Sequence, residues 1–487
     1  MTDTYKSAVS FKQLSTLALL LVATLSASIA PLRADDVFRA GAATADLTPA
    51  PGVTLDGAIS KPGPARGVHD RLHARALVFS HEGTTLAIVI NDMCMIDQPV
   101  YDDAKQQIHG KLGIPVQNML MAATHTHAAP RVMRIGRSQQ DEDYRGFVAG
   151  KIAEAVIAAH KNLAPARIAF GSMNKPDYVA CRRSLCKPGT VGVNPFGESG
   201  EQVKSVAGSS KQVIGPAGPT DPQFSVLSVQ HVDGAALALL ANFSVHYCGG
   251  YTGGLVSADY FGAFARNLEE LSPSGDGKPA FVGAMSNGTS GNTGAVRVPS
   301  GRKAPWERME QSGKTLAGEA LALSKTLTHT VPGTLRIVES ELELGVRKPD
   351  AERIAWAKTL LADAKDKGPH RWSRIYATET MYLSEYPQRY KIKLQALRIG
   401  EVAIGAIPCE TFAETGLAIK SASSMKNMFT IGLANGYSGY LPPPKQHRLG
   451  GYETWPARTS HLEVDAEPKI KSRLLELLSQ MAGVGTK

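Results

Sequence analysis

Apolar positions along this chain switch between a period of two and a period near 3.6, and the switches predict strands and helices. Residues 38–45 read as a strand of small residues, closed by Asp46-Leu47-Thr48-Pro49. Residues 72–80 and 86–90 read as two strands around His81-Glu82-Gly83-Thr84. Residues 100–112 fit a helix ended by Gly113, and 118–123 form the next strand. That strand–helix–strand spacing puts both strands in one sheet. Downstream, 141–160, 259–271, 306–327, 349–366, 411–420 and 467–481 carry helical periodicity, with Ser257 as a cap for the second. Residues 167–173, 281–284, 334–346 and 429–434 read as strands. Hairpins are predicted at 223–230/235–245 and 392–399/402–407. The predicted class is α/β, with mixed, mostly antiparallel sheets packed together and flanked by helices in one large domain. No internal repeat is visible.

Between 187 and 222 the chain is rich in Gly, Ser, Pro and Val and has no periodicity. A stretch that long reads either as a mobile wall near a site or as a plain insertion.

Chemistry concentrates where the predicted strands stop. Residues 118–130, NMLMAATHTHAAP, pass abruptly from an apolar run into His125 and His127. Two residues apart in an extended chain, both imidazoles project to one face. Asp92, His246, Glu410 and Tyr437 close other strands in the same way. Each can be an ordinary polar strand end. Together, two His and one Glu with an open position form a catalytic zinc set. The nucleophile-elbow pattern GxSxG, the phosphate-binding GxxxxGK[ST] and GxGxxG are all absent.

Composition adds a compartment. Lys6 and Lys12 precede an uncharged run at 14–29, with small residues and a cleavage point at Ala34-Asp35. This reads as a signal peptide over 1–34, with a membrane anchor as the alternative, and leaves a mature domain of 35–487 in the periplasm or outside the cell. The net charge of +9 comes from cations scattered among acids, which favours solubility over nucleic-acid binding. Five cysteines are too few to replace a core. Cys181 and Cys186 are spaced to close a small loop. Cys248 and Cys409 lie beside ligand candidates, where a mutual bond, metal ligation or inert burial are all open.

Several motifs in order resemble the neutral/alkaline non-lysosomal ceramidases. They are GAATADLTP (41–49), GVHDRLHARA (67–76), THTHAAP (124–130), NFSVH (242–246), PCETF (408–412), NGYSGY (435–440) and Tyr452-Glu453. The resemblance implies zinc ligation by His125, His246, Glu410 and Tyr437. It implies that His127 contacts the reacting carbonyl, that Arg183 of Arg182-Arg183-Ser184 positions substrate, and that Tyr452 assists the oxyanion. The implied reaction is hydrolysis of the C–N amide bond of an N-acyl lipid or related N-acyl compound, with Asp92 or His127 as the acid/base group. A lipid amide substrate also implies peripheral membrane contact. Esters or small N-acyl compounds are an alternative substrate class, and a non-catalytic binding protein is a further alternative. Three departures stand out. The family's GDVSP stretch appears as GTSGNTG, so Ser290 matches its serine only in one alignment and Asn292 stands near its aspartate. Ala128 and Ala129 replace residues beside the histidines. The chain ends after the 467–481 helix, without the family's C-terminal immunoglobulin-like domain. Acyl chain, head group and oligomeric state are left open.

Overall fold

The computed structural model describes residues 1–2, 37–57, 63–133, 139–205, 211–249, 253–295 and 305–483. The signal-peptide reading therefore falls outside the described residues. Among those described, no helix is long and apolar enough to cross a membrane.

Two sheets stack face to face. The larger one contains β1 (Arg39–Asp46), β2 (His73–His81), β3 (Thr84–Asn91), β4 (Met119–Ala123), β5 (Ala164–Asn174), β6 (Gln223–His231), β7 (Ala236–Phe243) and β8 (Val282–Asn287). Its spatial order is β8-β7-β6-β5-β1-β2-β3-β4. The smaller sheet is β9 (Leu335–Gly345), β10 (Arg389–Ile399), β11 (Val402–Ala406) and β12 (Asn427–Ile431), in that order. All pairings are antiparallel except β3/β4, β7/β8 and β11/β12.

The strands that read as unbroken apolar runs are buried on both faces. In β3, Leu86, Ile88 and Ile90 face the second sheet, while Ala87 and Val89 face helices. The layer between the sheets joins Leu77, Phe79 and Leu120 to Leu397, Ile404 and Phe429. Outside it lie α1 (Gln98–Leu112) and α2 (Gln139–Lys161), packed on β2 to β4. Next, α3 (Asp259–Leu271) and α4 (Pro305–Thr326) cover β6 to β8. After α5 (Ala351–Ala362) and α6 (Ser373–Ser384) come α7 (Ala413–Ala422), α8 (Pro444–Leu449) and α9 (Ala466–Ala482). Helices α7 and α9 cover the outer face of the smaller sheet.

The backbone repeats although the sequence does not. Three times a hairpin is followed by a helix and a strand parallel to the hairpin's second strand. The units are β2-β3-α1-β4, β6-β7-α3-β8 and β10-β11-α7-β12. The first hairpin turns on Glu82 (φ 46°) and Gly83 (φ 73°), the two left-handed positions that a tight hairpin requires. The units meet at one end. Past β12 the chain crosses to the larger sheet: Asn435 N donates to Met121 O (2.7 Å), Ala123 N to Leu433 O (3.2 Å) and Gly432 N to Asn287 O (3.0 Å).

Several expectations change. The 187–222 stretch is not structureless: Arg183–Cys186, Val203–Ser205 and Val213–Pro216 form a three-stranded sheet. These strands are too short for a period to show. Helix α6 carries no clear apolar period in the sequence because two of its buried positions are Ser373 and Thr380 while Ile375 and Tyr382 are exposed. Helix α3 has the predicted bounds, but its cap residue is Ala258, while Ser257 Oγ accepts from Asp259 N. All five cysteines are free thiols, so neither cysteine pair is bonded.

Phe429, 1% exposed, lies between the sheets with its ring centroid 6.2 Å from that of Phe170. Replacing Phe429 with Ala will cost about 3–5 kcal/mol through lost burial and a residual cavity, read as a lower urea midpoint.

Candidate metal centre

The centre lies at the C-terminal ends of the three parallel strand pairs. Sites gather there because loops leave a rigid scaffold together. Past β4, Thr124 N donates to Asn91 O (2.9 Å) and His125 N to Met93 O (2.9 Å). His125 has φ 73°, a left-handed conformation that is costly for a residue with a side chain. Its Nδ1 lies 2.8 Å from Cys94 O. A carbonyl only accepts, so Nδ1 donates to it and Nε2 faces inward.

Three more groups meet that nitrogen. His127 Nε2 and His246 Nε2 each lie 3.1 Å from His125 Nε2. Glu410 Oε2 lies 3.2 Å from His125 Nε2 and 3.7 Å from His246 Nε2. His125, His246 and Glu410 are 2%, 1% and 4% exposed. A lone pair facing a buried carboxylate oxygen is repulsive unless a proton or cation lies between them. The ligand atoms of His125, His246 and Glu410 all lie within 4.8 Å of one another, so this donor set fits a divalent metal. A second group, Cys94, His125 and His127, overlaps it.

The electrostatics agree with that role. Burial, with Arg182 and the neighbouring imidazoles, holds the pKa of His246 well below the usual value. Burial, His125 and Arg182 do the same at His127. Neutral imidazoles are the ligating form. Burial pushes the Glu410 carboxyl up, but His125, Arg182 and the Tyr437 hydroxyl bring it below its ordinary value. Tyr437 OH donates to Glu410 Oε1 at 2.7 Å. Burial and Glu410 raise the Tyr437 phenol well above its usual pKa. His127 stacks on Tyr247, with ring centroids 4.1 Å apart.

The SNGTSGNTG turn follows β8. Ser290 is 3% exposed and its backbone hydrogen-bonds His246. At Gly291 a Cβ would stand 2.3 Å from Glu410 O, so only glycine lets this turn lie against the Glu410 segment. Asn292 Oδ1 accepts from Ala413 N (2.8 Å) and its Nδ2 donates to Glu414 (2.8 Å), so Asn292 caps α7.

Two assignments shift on inspection of the geometry. Arg183 has a fully buried side chain, 2.5 Å from Glu453 Oε2 and bonded to Gln446 and Gly450 O. It does not face the centre. Arg182 does: it donates to Gly291 O (2.7 Å) and Tyr440 OH (3.1 Å), and its charge acts on His127, His246 and Glu410. Its guanidinium lies 5.5 Å from the ring centroids of both Tyr440 and Tyr452. Tyr452 and Tyr440 hydroxyls are 3.3 Å apart, so Tyr452 belongs to this wall. Asp92 is turned away, paired with Arg75 and accepting from His73 N.

Sequence reasoning missed Arg182, Tyr440 and Cys94. Arg182 was one residue away, in a gap between short strands where alternation gives no register. Tyr440 lies within the NGYSGY motif already singled out. Cys94, with Sγ 3.8 Å from His125 Nδ1, carries no signal in spacing; attention went to Cys248 and Cys409 instead.

Residues 38–298 match the family model for neutral/alkaline non-lysosomal ceramidase, N-terminal. A neutral ceramidase of Pseudomonas aeruginosa is 25% identical over a 519-residue alignment, covering 90% of this chain and 71% of that protein. Neutral ceramidase B of Dictyostelium discoideum is 28% identical over 276 residues, 53% of this chain and 35% of its own. The chain thus spans about a third of the Dictyostelium relative. The crystal structure of the Pseudomonas aeruginosa neutral ceramidase superposes with a TM-score of 0.67 at 18% identity, covering 93% of this chain and 76% of that one. A ceramidase complexed with C2 gives 0.68 at 18% identity, covering 93% and 77%. At that identity the superpositions establish the fold.

Replacing His246 with Ala removes one donor of the set, and elemental analysis of the purified variant should find bound metal well below stoichiometric. Gly291→Ala should have a milder effect of the same sign, because the Glu410 segment must shift to admit the methyl group. Stoichiometric metal in both variants would contradict this assignment of the centre.

Proposed function

The chain belongs to the neutral/alkaline non-lysosomal ceramidase family, and on that premise we propose that it is a zinc-dependent hydrolase of the C–N amide bond in an N-acyl lipid or related N-acyl compound. The observation that carries the reading is the buried convergence of His125, His246 and Glu410 beside Arg182 and a tyrosine wall. His125, His246 and Glu410 hold the ion, and Tyr437, which bonds Glu410, completes the set. Bound there, zinc would supply Lewis acidity, polarising a carbonyl and lowering the pKa of bound water toward about 7.

The remaining residues bind and orient. The net reaction adds one water across the amide, breaking the C–N bond and giving a carboxylate and a protonated amine. Negative charge develops on the carbonyl oxygen as its carbon becomes tetrahedral. Arg182 supplies a fixed cation for that charge, held in place by Gly291 O and Tyr440 OH. Tyr440 and Tyr452 add hydroxyl donors on the same side. His127 and Ser290 contact the reacting carbonyl from the histidine side. Preorganised donors act most strongly where water is excluded, and losing one typically costs roughly 3–4 kcal/mol.

Export to the periplasm or the extracellular space is supported by the apolar run at 14–29 and its preceding lysines. A lipid substrate further implies contact with a membrane surface during capture.

The test is product analysis with the zinc-loaded protein against N-acyl-sphingosine, N-acyl amino acids and aryl esters. Release of a fatty acid from an N-acyl substrate is expected. Cleavage of esters alone would remove the amide assignment, and bound zinc without turnover on any acyl substrate would remove the enzyme assignment.

The adjacent arginines differ in what they hold, although both reach Glu453. Arg182→Met should lower kcat by about 10²–10³-fold, with a smaller fall in melting temperature than Arg183→Met. Arg183→Met removes the fully buried ion pair to Glu453 and the bonds to Gln446 and Gly450 O, costing about 3–5 kcal/mol of stability. Calorimetry and kcat measured on both variants decide the matter.

A further inference from the structure

We infer that Lys105 is a positioning residue for the centre: through Asn435 it fixes the segment that carries Tyr437. This rests on the reading of His125, His246 and Glu410, with Tyr437, as the metal-holding set.

Lys105 belongs to α1 and is only 2% exposed. An ammonium group that deep is costly unless its donors are used. Its Nζ donates to Asn435 Oδ1 at 2.9 Å. Burial draws its pKa from 10.5 to about 8; Glu339 and Asp102 oppose that shift and Lys393 adds to it.

The segment it reaches is strained. Leu433 has φ 51°, Asn435 φ 59° and Gly436 φ 148°. Left-handed residues this closely spaced persist only when the surroundings over-determine them. Asn435 supplies much of that determination. Its backbone N donates to Met121 O (2.7 Å), and its Oδ1 also accepts from Met121 N (3.2 Å). Its Nδ2 donates to Gln395 Oε1 (2.7 Å), and Gln395 Nε2 donates to Glu339 Oε2 (2.8 Å) and Gln117 O (3.0 Å). Lys105 is one end of a buried chain, Lys105–Asn435–Gln395–Glu339, that joins α1, β4, β9 and β10.

The chain's position gives it a function. Met121 lies on β4, four residues before His125. Asn435 is two residues before Tyr437, whose hydroxyl holds Glu410. A single asparagine therefore couples the strand leading to one metal-binding residue to the segment that orients another. Lys105 supplies that asparagine with a charge-assisted donor, stronger than a neutral one. Without it the strained segment relaxes, Tyr437 loses its aim at Glu410, and the centre binds metal less tightly.

The test is a double-mutant cycle on the full chain, reading Zn²⁺ affinity by competition with a chromophoric chelator. K105M should bind Zn²⁺ about 10–100-fold more weakly than wild type, the usual cost of losing a residue that supports a ligand. If Lys105 acts through Tyr437, K105M/Y437F should bind no more weakly than Y437F alone. Unchanged affinity in K105M, or losses that simply add in the double variant, would overturn the inference. If circular dichroism shows K105M unfolded, K105Q, which keeps an N–H donor, takes its place in the same cycle. A wild-type protein with no Zn²⁺ affinity would instead sink the reading of the centre itself.

Discussion

An imidazole nitrogen and a carboxylate oxygen 3.2 Å apart, nearly out of reach of water, form the contact that the rest of the structure is arranged to hold in place. Two bare acceptors at that distance would conflict unless a proton or a cation lay between them. Both are held from behind. The ring of His125 is fixed by the Cys94 carbonyl on its far side and by a left-handed backbone. Glu410 is fixed by Tyr437 and by the turn that presses Gly291 against its carbonyl. A cation relieves the conflict, and the fold keeps the opening for one at the cost of local strain.

The scaffold that does this is simple. Three hairpin-and-crossover units bring their parallel strand pairs to one end, and each pair delivers a side chain to that end. The second unit brings His246 and Ser290, the third Glu410 and Tyr437, and the first His125. Asp92 holds the equivalent place in the first unit, but its charge is spent on Arg75. A recurrent topological position therefore supplies opportunity, and local pairing decides whether a residue there can do chemistry.

Much of this was legible in the sequence, and for physical reasons. Strands buried on both faces must be apolar without a break, so the runs ending at Ala123, Phe243 and Ile431 were readable, as was the polar residue that interrupts each. Hairpin turns at Glu82-Gly83 and Gly400-Glu401 announce themselves by glycine. What could not be read was which of two neighbours faces inward. Arg182 lies between strands of three and four residues and Arg183 opens the second, and both strands are too short for alternation to fix register. The threefold repeat was invisible too, because it is conserved in hydrogen-bonding geometry and not in side chains. Lys105 gave no hint either: a lysine on an amphipathic helix normally points to solvent, and only the tertiary contact with Asn435 reveals otherwise.

That the two histidines facing each other are 121 residues apart in the chain carries a consequence for how the protein matures. Every ligand pair spans a long segment that must be ordered first, and closing such loops costs entropy before any contact repays it. A chain in which only the first two units have docked presents the imidazoles of His125, His127 and His246 without the Glu410 carboxylate. High-affinity metal capture therefore belongs to the last stage of assembly, after the third unit has packed and its exit segment has crossed to β4. The ion then stabilises the finished molecule by mass action and gives little help to its precursors. In this architecture, metal uptake is a report that folding is complete.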